Sequence, residues 1–184
     1  MKFTPVNDWR WNYKDRYLSI TLVADNGNKY FFKTHYQIED LRECPCLGLP
    51  FCIQDASLLT SFQEGLSKIN MNDGGCLDLG INAVACERFV KVTPPVSRYF
   101  RPYCGRLFFE RGDVVSLYTL DGGVCDCIVL DEIDSEGFTR LMMLNQSYTT
   151  SDGNVFRLGN MIRVRRSLIA PFRSSQILRS VRYE

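Results

Sequence analysis

The chain has 184 residues, 45% of them apolar, enough to bury a substantial core as one domain or as two small ones. Its 22 Lys and Arg against 21 Asp and Glu leave a net charge of +1, which excludes an overall electrostatic footprint for nucleic acid or an anionic membrane. No 18-residue apolar stretch and no signal-peptide run is present, so the chain is expected in the cytoplasm, its eight cysteines reduced and packed as small hydrophobes.

Both tryptophans lie in the opening string Asn7-Asp8-Trp9-Arg10-Trp11. Strand spacing over 9–13 puts Trp9, Trp11 and Tyr13 on one face. That face is either the anchor of a core or a partly exposed aromatic wall. Residues 17–24 read as a second strand, Asp25-Asn26-Gly27-Asn28 as a tight turn, and Lys29 to Lys33 as the returning strand. A loop through Cys44-Pro45-Cys46 follows. Asp55 is the expected N-cap of a helix carrying Leu58, Leu59, Phe62, Leu66 and Ile69 at helical spacing, weakened by Gly65. A second helix starts near Asp73 and turns Leu77, Ile81, Val84, Ala85 and Phe89 inward. Thr93-Pro94-Pro95 ends it and marks the expected domain boundary, 1–93 against 94–184.

Beyond the prolines, short β segments are expected at Arg106–Phe109, Val114–Leu120, Val124–Leu130, Phe138–Leu144, Asn154–Leu158 and Met161–Arg166. Their roughly 10-residue spacing suggests a small closed or half-open barrel. The segment from Pro171 reads as a tail or an edge strand. The fold class is thus α+β: an N-terminal α/β domain of antiparallel strands and two helices, then a twisted, barrel-like β domain.

Charge is asymmetric along this plan. All six lysines precede Pro94, and all twelve basic residues after it are arginine; from Phe138 onward eight arginines face only Asp152 and Glu184. On the last strand Ile162 and Val164 point one way, Arg163 and Arg165 the other, with Arg166 at its end. Arg157 and Arg140 could join them around an apolar centre at Leu158 or Phe156. Such a cluster is a solvated face, a site for an acidic protein, or a small-barrel RNA-binding surface.

Catalytic signatures are missing. His35 is the lone histidine, and there is no phosphate loop, dinucleotide fingerprint or nucleophile elbow. The one-residue gaps of Cys44-Pro45-Cys46 and Cys125-Asp126-Cys127 do not fit zinc knuckles. Glu132, Asp134 and Glu136 imitate a calcium loop, but Met143 stands where its bidentate acid belongs. No enzyme, metal or cofactor is expected.

Several strings resemble the ZapC family, Z-ring-associated cell-division proteins of gammaproteobacteria. They are Asn7-Asp8-Trp9-Arg10-Trp11; Phe51-Cys52 with Asp55-Ala56, Leu58, Ser61-Phe62 and Glu64; Asn82-Ala83-Val84-Ala85 with Arg88; Gly112-Asp113; and Leu158-Gly159 with Ile162 and Val164. The resemblance implies a non-enzymatic protein at the division site that binds the globular core of the tubulin-like FtsZ and bundles its filaments. It implies an FtsZ-binding pocket in the C-terminal domain, where Arg140, Arg157, Leu158, Ile162, Arg163, Arg165 and Arg166 are the candidates. A second, N-terminal pocket would involve Trp9, Trp11, Phe62 and Leu66. Bundling by a monomer, with no nucleic acid or membrane partner, would then use one surface on each side of Pro94-Pro95.

Overall fold

The computed structural model describes Pro5 and residues 8–69, 71–145, 147–150 and 152–172. β1 (Arg10–Lys14), β2 (Tyr17–Val23) and β3 (Lys29–Gln37) form the expected meander, and β4 (Leu49–Pro50) joins the far side of β1, giving the order β3-β2-β1-β4. Asp15 and Arg16 both take positive φ, which turns β1 into β2 with the twist of the strands. β3 runs four residues past Lys33, because Thr34 and Tyr36 are buried and continue its inward face.

Trp9 and Trp11 are fully buried, and the aromatic-wall reading gives way to the core one. Trp9 Nε1 donates to the Val23 carbonyl (3.0 Å) and Trp11 Nε1 to the Asp55 carboxylate (3.2 Å), so both polar handles are satisfied inside. Phe51 packs against both indoles and Phe89 against the edge of Trp11.

α1 (Ile53–Ser67) begins one turn earlier than Asp55 suggests. Cys52 is its N-cap, and Asp55, at the third helical position, accepts the Cys52 N–H (3.1 Å). α2 (Asp73–Phe89) is capped by Asn72, whose side chain accepts the Gly75 N–H at 2.8 Å. From Leu79 to Cys86 every residue of α2 is buried, as befits a helix enclosed on all sides. Gly65 has a packing reason: a Cβ there would overlap the carbonyl oxygen of Gly112.

The C-terminal strands are β5 (Val114–Tyr118), β6 (Val124–Val129), β7 (Phe138–Met143), β8 (Ser147–Thr149), β9 (Val155–Arg157), β10 (Met161–Arg165) and β11 (Ile169–Pro171). Five of them make an antiparallel sheet in the order β10-β7-β6-β5-β11, and β8 and β9 form a separate hairpin. Among the described residues the sheet is not a closed barrel, since no ladder joins β10 to β11. It is nonetheless strongly curled. Flat, its outer strands would stand about 19 Å apart, four strand spacings. Yet Arg165 and Ile169 belong to opposite edges and are four peptide units apart, a reach of at most about 14 Å.

Arg106–Phe109 forms no strand. It crosses the open side of the curl, with Leu107 and Phe109 packed against the interior and Arg106 and Phe108 outward. The alternation is that of a strand, but among the described residues no neighbour offers a ladder. Of the tail, Pro171 pairs in β11; residues 173–184 lie outside the described residues.

Two apolar clusters follow from the period-2 alternation. The interior of the curl holds Leu117, Cys125, Cys127, Val129, Leu141, Met143 and Val164. Burial pushes the Cys125 thiol up to about 12, so it packs as a hydrophobe rather than as a nucleophile. The outer face of the same sheet sends Ile128, Leu130, Met142, Leu144 and Met161 into the cluster that contains both tryptophans and both helices. Tyr36 of β3 donates to the Gly159 carbonyl (2.8 Å), tying the halves directly. Apolar packing therefore runs across Pro94-Pro95 without a break. Among the described residues no helix is long and apolar enough to cross a membrane.

Candidate functional site

The antiparallel register sets Arg163 opposite Arg140, and Arg165 opposite Phe138, on the outer face of the curled sheet. Where this face leaves the helices it becomes cationic. Its arginines are not equivalent. Arg140 is largely enclosed and reaches Asp131 (2.5 Å) and Glu87 of α2 (3.5 Å). Arg163 donates to Asp134 (2.5 Å) and to Glu136 (2.7 Å). The Arg163 guanidinium, with the Phe138 N–H, holds the Asp134 carboxyl below its usual range. That pairing is complete above the ordinary carboxylate pKa, about 4, and is released only as pH falls through the lowered value. Between pH 5 and 8 Arg163 is therefore neutralised by Asp134, and Arg140 is held structurally by its ion pairs with Asp131 and Glu87.

Arg165 and Arg166 differ. Both are exposed, and neither forms an ion pair among the described residues. The Arg165 guanidinium stands 5.0 Å from the Phe138 ring, while Arg166 donates to the Leu107 carbonyl (3.1 Å) and lies about 6 Å from the Phe108 and Phe109 rings. They border a groove of about 460 Å³ shared with Tyr103, Arg106, Phe108 and Glu136. Phe108 is 87% exposed, the most exposed large apolar side chain among the described residues. Glu136, the one acid in the groove, is already bound by Arg163. An exposed ring among unpaired guanidiniums suits an acidic surface that also carries an apolar contact.

The other candidates lie elsewhere. Arg157 is exposed on the β8–β9 hairpin, Leu158 packs against the larger core, and Ile162 is buried beside a different cleft, of about 640 Å³, where the halves meet. Leu158 and Ile162 therefore do not form an exposed apolar centre; Phe108 is the one the groove has. Trp9, Trp11, Phe62 and Leu66 are all fully buried and offer no surface for a second pocket. Sequence alone does not single out Arg106, Phe108 or Tyr103 as site residues; for Arg106 and Phe108 the signal is the outward alternation of the 106–109 segment, which reads equally as a strand, and Tyr103 carries none.

No cluster of three or more metal-ligating side chains occurs among the described residues. His35 is exposed on β3, and its backbone N–H donates to Asn82 Oδ1 (2.9 Å).

Fold and groove together define an α+β protein of two main antiparallel sheets and a separate hairpin, with a cationic, aromatic groove as its candidate site. Residues 2–91 match the family profile described as cell-division protein ZapC, N-terminal. Over nearly the whole chain it is similar to proteins named "Cell division protein ZapC". That of Xenorhabdus bovienii is 24% identical over 94% of this chain and 93% of its own, and that of Photobacterium profundum 26% identical over 95% of each. The Musicola paradisiaca protein of that name is 25% identical over 93% of this chain and 90% of its own. The similarity to ZapC proteins thus runs along nearly the whole chain, and the family profile itself is matched by residues 2–91.

Proposed function

We propose that this chain acts in cell division without catalysis, by binding the globular core of FtsZ at the division site through the arginine groove and promoting lateral bundling of its filaments. The ZapC name of its relatives supports the process. The observation that carries the site is the contrast among the arginines: Arg140 and Arg163 are neutralised, whereas Arg165, Arg166 and Arg106 stand beside exposed Phe108. Cationic contacts to an acidic surface set both encounter rate and register.

In sedimentation with FtsZ filaments, the wild-type chain is expected to pellet with the polymer, less so as salt rises above about 0.1 M. Arg165→Glu/Arg166→Glu should abolish pelleting while stability changes by no more than about 0.5 kcal/mol, as for surface substitutions generally. Arg163→Glu should instead disturb the fold locally, because it sets a third carboxylate beside Asp134 and Glu136. Unchanged pelleting of the double variant would refute the groove. Single-stranded RNA, stacked on Phe108, is the competing ligand; a mobility shift at physiological salt with no FtsZ pelleting would favour it.

A further inference from the structure

We propose that the free edge of β3 is a second docking site, which takes an acidic segment in extended conformation by strand addition. The inference stands on the N-terminal sheet and does not depend on the groove.

The hydrogen-bond phase of the β2–β3 ladder identifies the open groups. The Ala24 N–H donates to the Asn28 carbonyl (2.9 Å) and the Ala24 carbonyl accepts the Gly27 N–H (2.8 Å), so Ala24 turns both backbone groups toward β3. The pairs Leu22↔Tyr30 and Ile20↔Phe32 follow at steps of two and are hydrogen-bonded in turn. Lys29, Phe31 and Lys33 fall between them, so their N–H and C=O groups point away from β2, toward the free edge. Among the described residues β3 has no neighbour on that side in the sheet order. The run closes at His35, whose outward N–H is taken by Asn82 Oδ1 (2.9 Å). At the opposite edge of the sheet, β4 is two residues long and ends in Pro50, which cannot donate.

The same three residues display their side chains on the face turned away from the core. Phe31 is 46% exposed. The Lys14 ammonium sits 4.8 Å above its ring, and the Lys33 ammonium 3.7 Å above Tyr17. Lys14, Lys29 and Lys33 are exposed and form no ion pair among the described residues, and the strand residues of this face include no carboxylate.

Charge chooses the occupant. A second copy of β3, paired antiparallel about Phe31, would set Lys29 against Lys33 of the other copy, and like charges directly opposite repel. An acidic strand meets the opposite situation. The fitting sequence reads acid–x–apolar–x–acid, with its carboxylates beside Lys29 and Lys33 and its apolar side chain on Phe31. Main-chain bonds would supply affinity and the alternating side chains specificity.

The test uses the full chain and a fluorescein-labelled peptide, Thr-Glu-Thr-Val-Thr-Glu-Thr. Anisotropy should show saturable binding, with amide shifts and slowed exchange at residues 29–33. Lys29→Glu/Lys33→Glu should weaken it about tenfold or more, and Lys29→Gln/Lys33→Gln by an intermediate factor. A peptide with N-methylvaline at its centre, which keeps every charge but loses one donor, should also bind about tenfold more weakly. Equal binding of the N-methyl peptide, no effect of the lysine variants, or shifts outside β3 would overturn the proposal. So would displacement of the peptide by oligothymidylate at physiological salt, which would mark the face as a nucleic-acid platform.

Discussion

Asp55→Ala is expected to destabilise the fold by about 3–5 kcal/mol, the range for breaking a buried ion pair by removing one partner. Asp55 is 1% exposed, and its Oδ2 accepts from Trp11 Nε1 (3.2 Å), from the Cys52 N–H (3.1 Å) and from Arg88 at the end of α2. One oxygen thus ties β1, the start of α1 and the end of α2. Alanine would leave the buried indole N–H without a partner, at about 1–3 kcal/mol, and would cost the helix its first-turn contact, about 1 kcal/mol. Arg88, 28% exposed, can turn toward water, which keeps the total from being a full sum. Urea unfolding of the two proteins measures the difference directly. A loss under about 1 kcal/mol would show that the carboxylate does not organise this corner.

A larger effect is expected from cutting the chain at Pro94. Residues 94–184 alone would expose Ile128, Leu130, Met142, Leu144 and Met161, all buried against the helices and the N-terminal sheet. At about 1.5–3 kcal/mol per side chain this loss is about 8–15 kcal/mol. It matches the whole stability of an ordinary domain, about 5–15 kcal/mol. The isolated half should therefore give no cooperative thermal transition by circular dichroism and should elute as aggregate. A sharp melt of a monomeric fragment would contradict the shared core. Two-surface bundling is accordingly to be tested with full-length variants, those of the arginine groove against those of β3.

The parts of the fold legible in the sequence are those fixed by local chemistry. Asp25-Asn26-Gly27-Asn28 announced the β2–β3 turn, whereas α2 ends at Phe89, four residues ahead of Thr93-Pro94-Pro95, because Val90 turns to extended backbone and bridges Leu41. The alternation of Cys125 and Cys127 with Asp126 announced a buried strand face. Trp9 and Trp11 could be assigned to one side of β1, but not to the inside of the molecule, because only tertiary partners such as Asp55 and Val23 satisfy their N–H groups. Gly65 looked like a weakness in α1; it is a close approach whose other member, Gly112, lies 47 residues away in the chain. The charge cluster was legible as a surplus of arginine on one face. Which guanidiniums were neutralised was not, since their carboxylates arrive from the 131–136 loop and from Glu87 of α2. Phe108 is not legible as a site residue, because a strand-like alternation without a ladder cannot be told from a paired strand by sequence.

Hydrogen exchange on the full chain, free and bound to FtsZ filaments, tests the central claim most directly. Binding through the groove predicts slowed exchange over residues 103–108 and 165–167, with residues 131–136, already held by Arg140 and Arg163, little changed. Unaltered exchange at 103–108 and 165–167, with filament-dependent protection elsewhere on the chain, would contradict it.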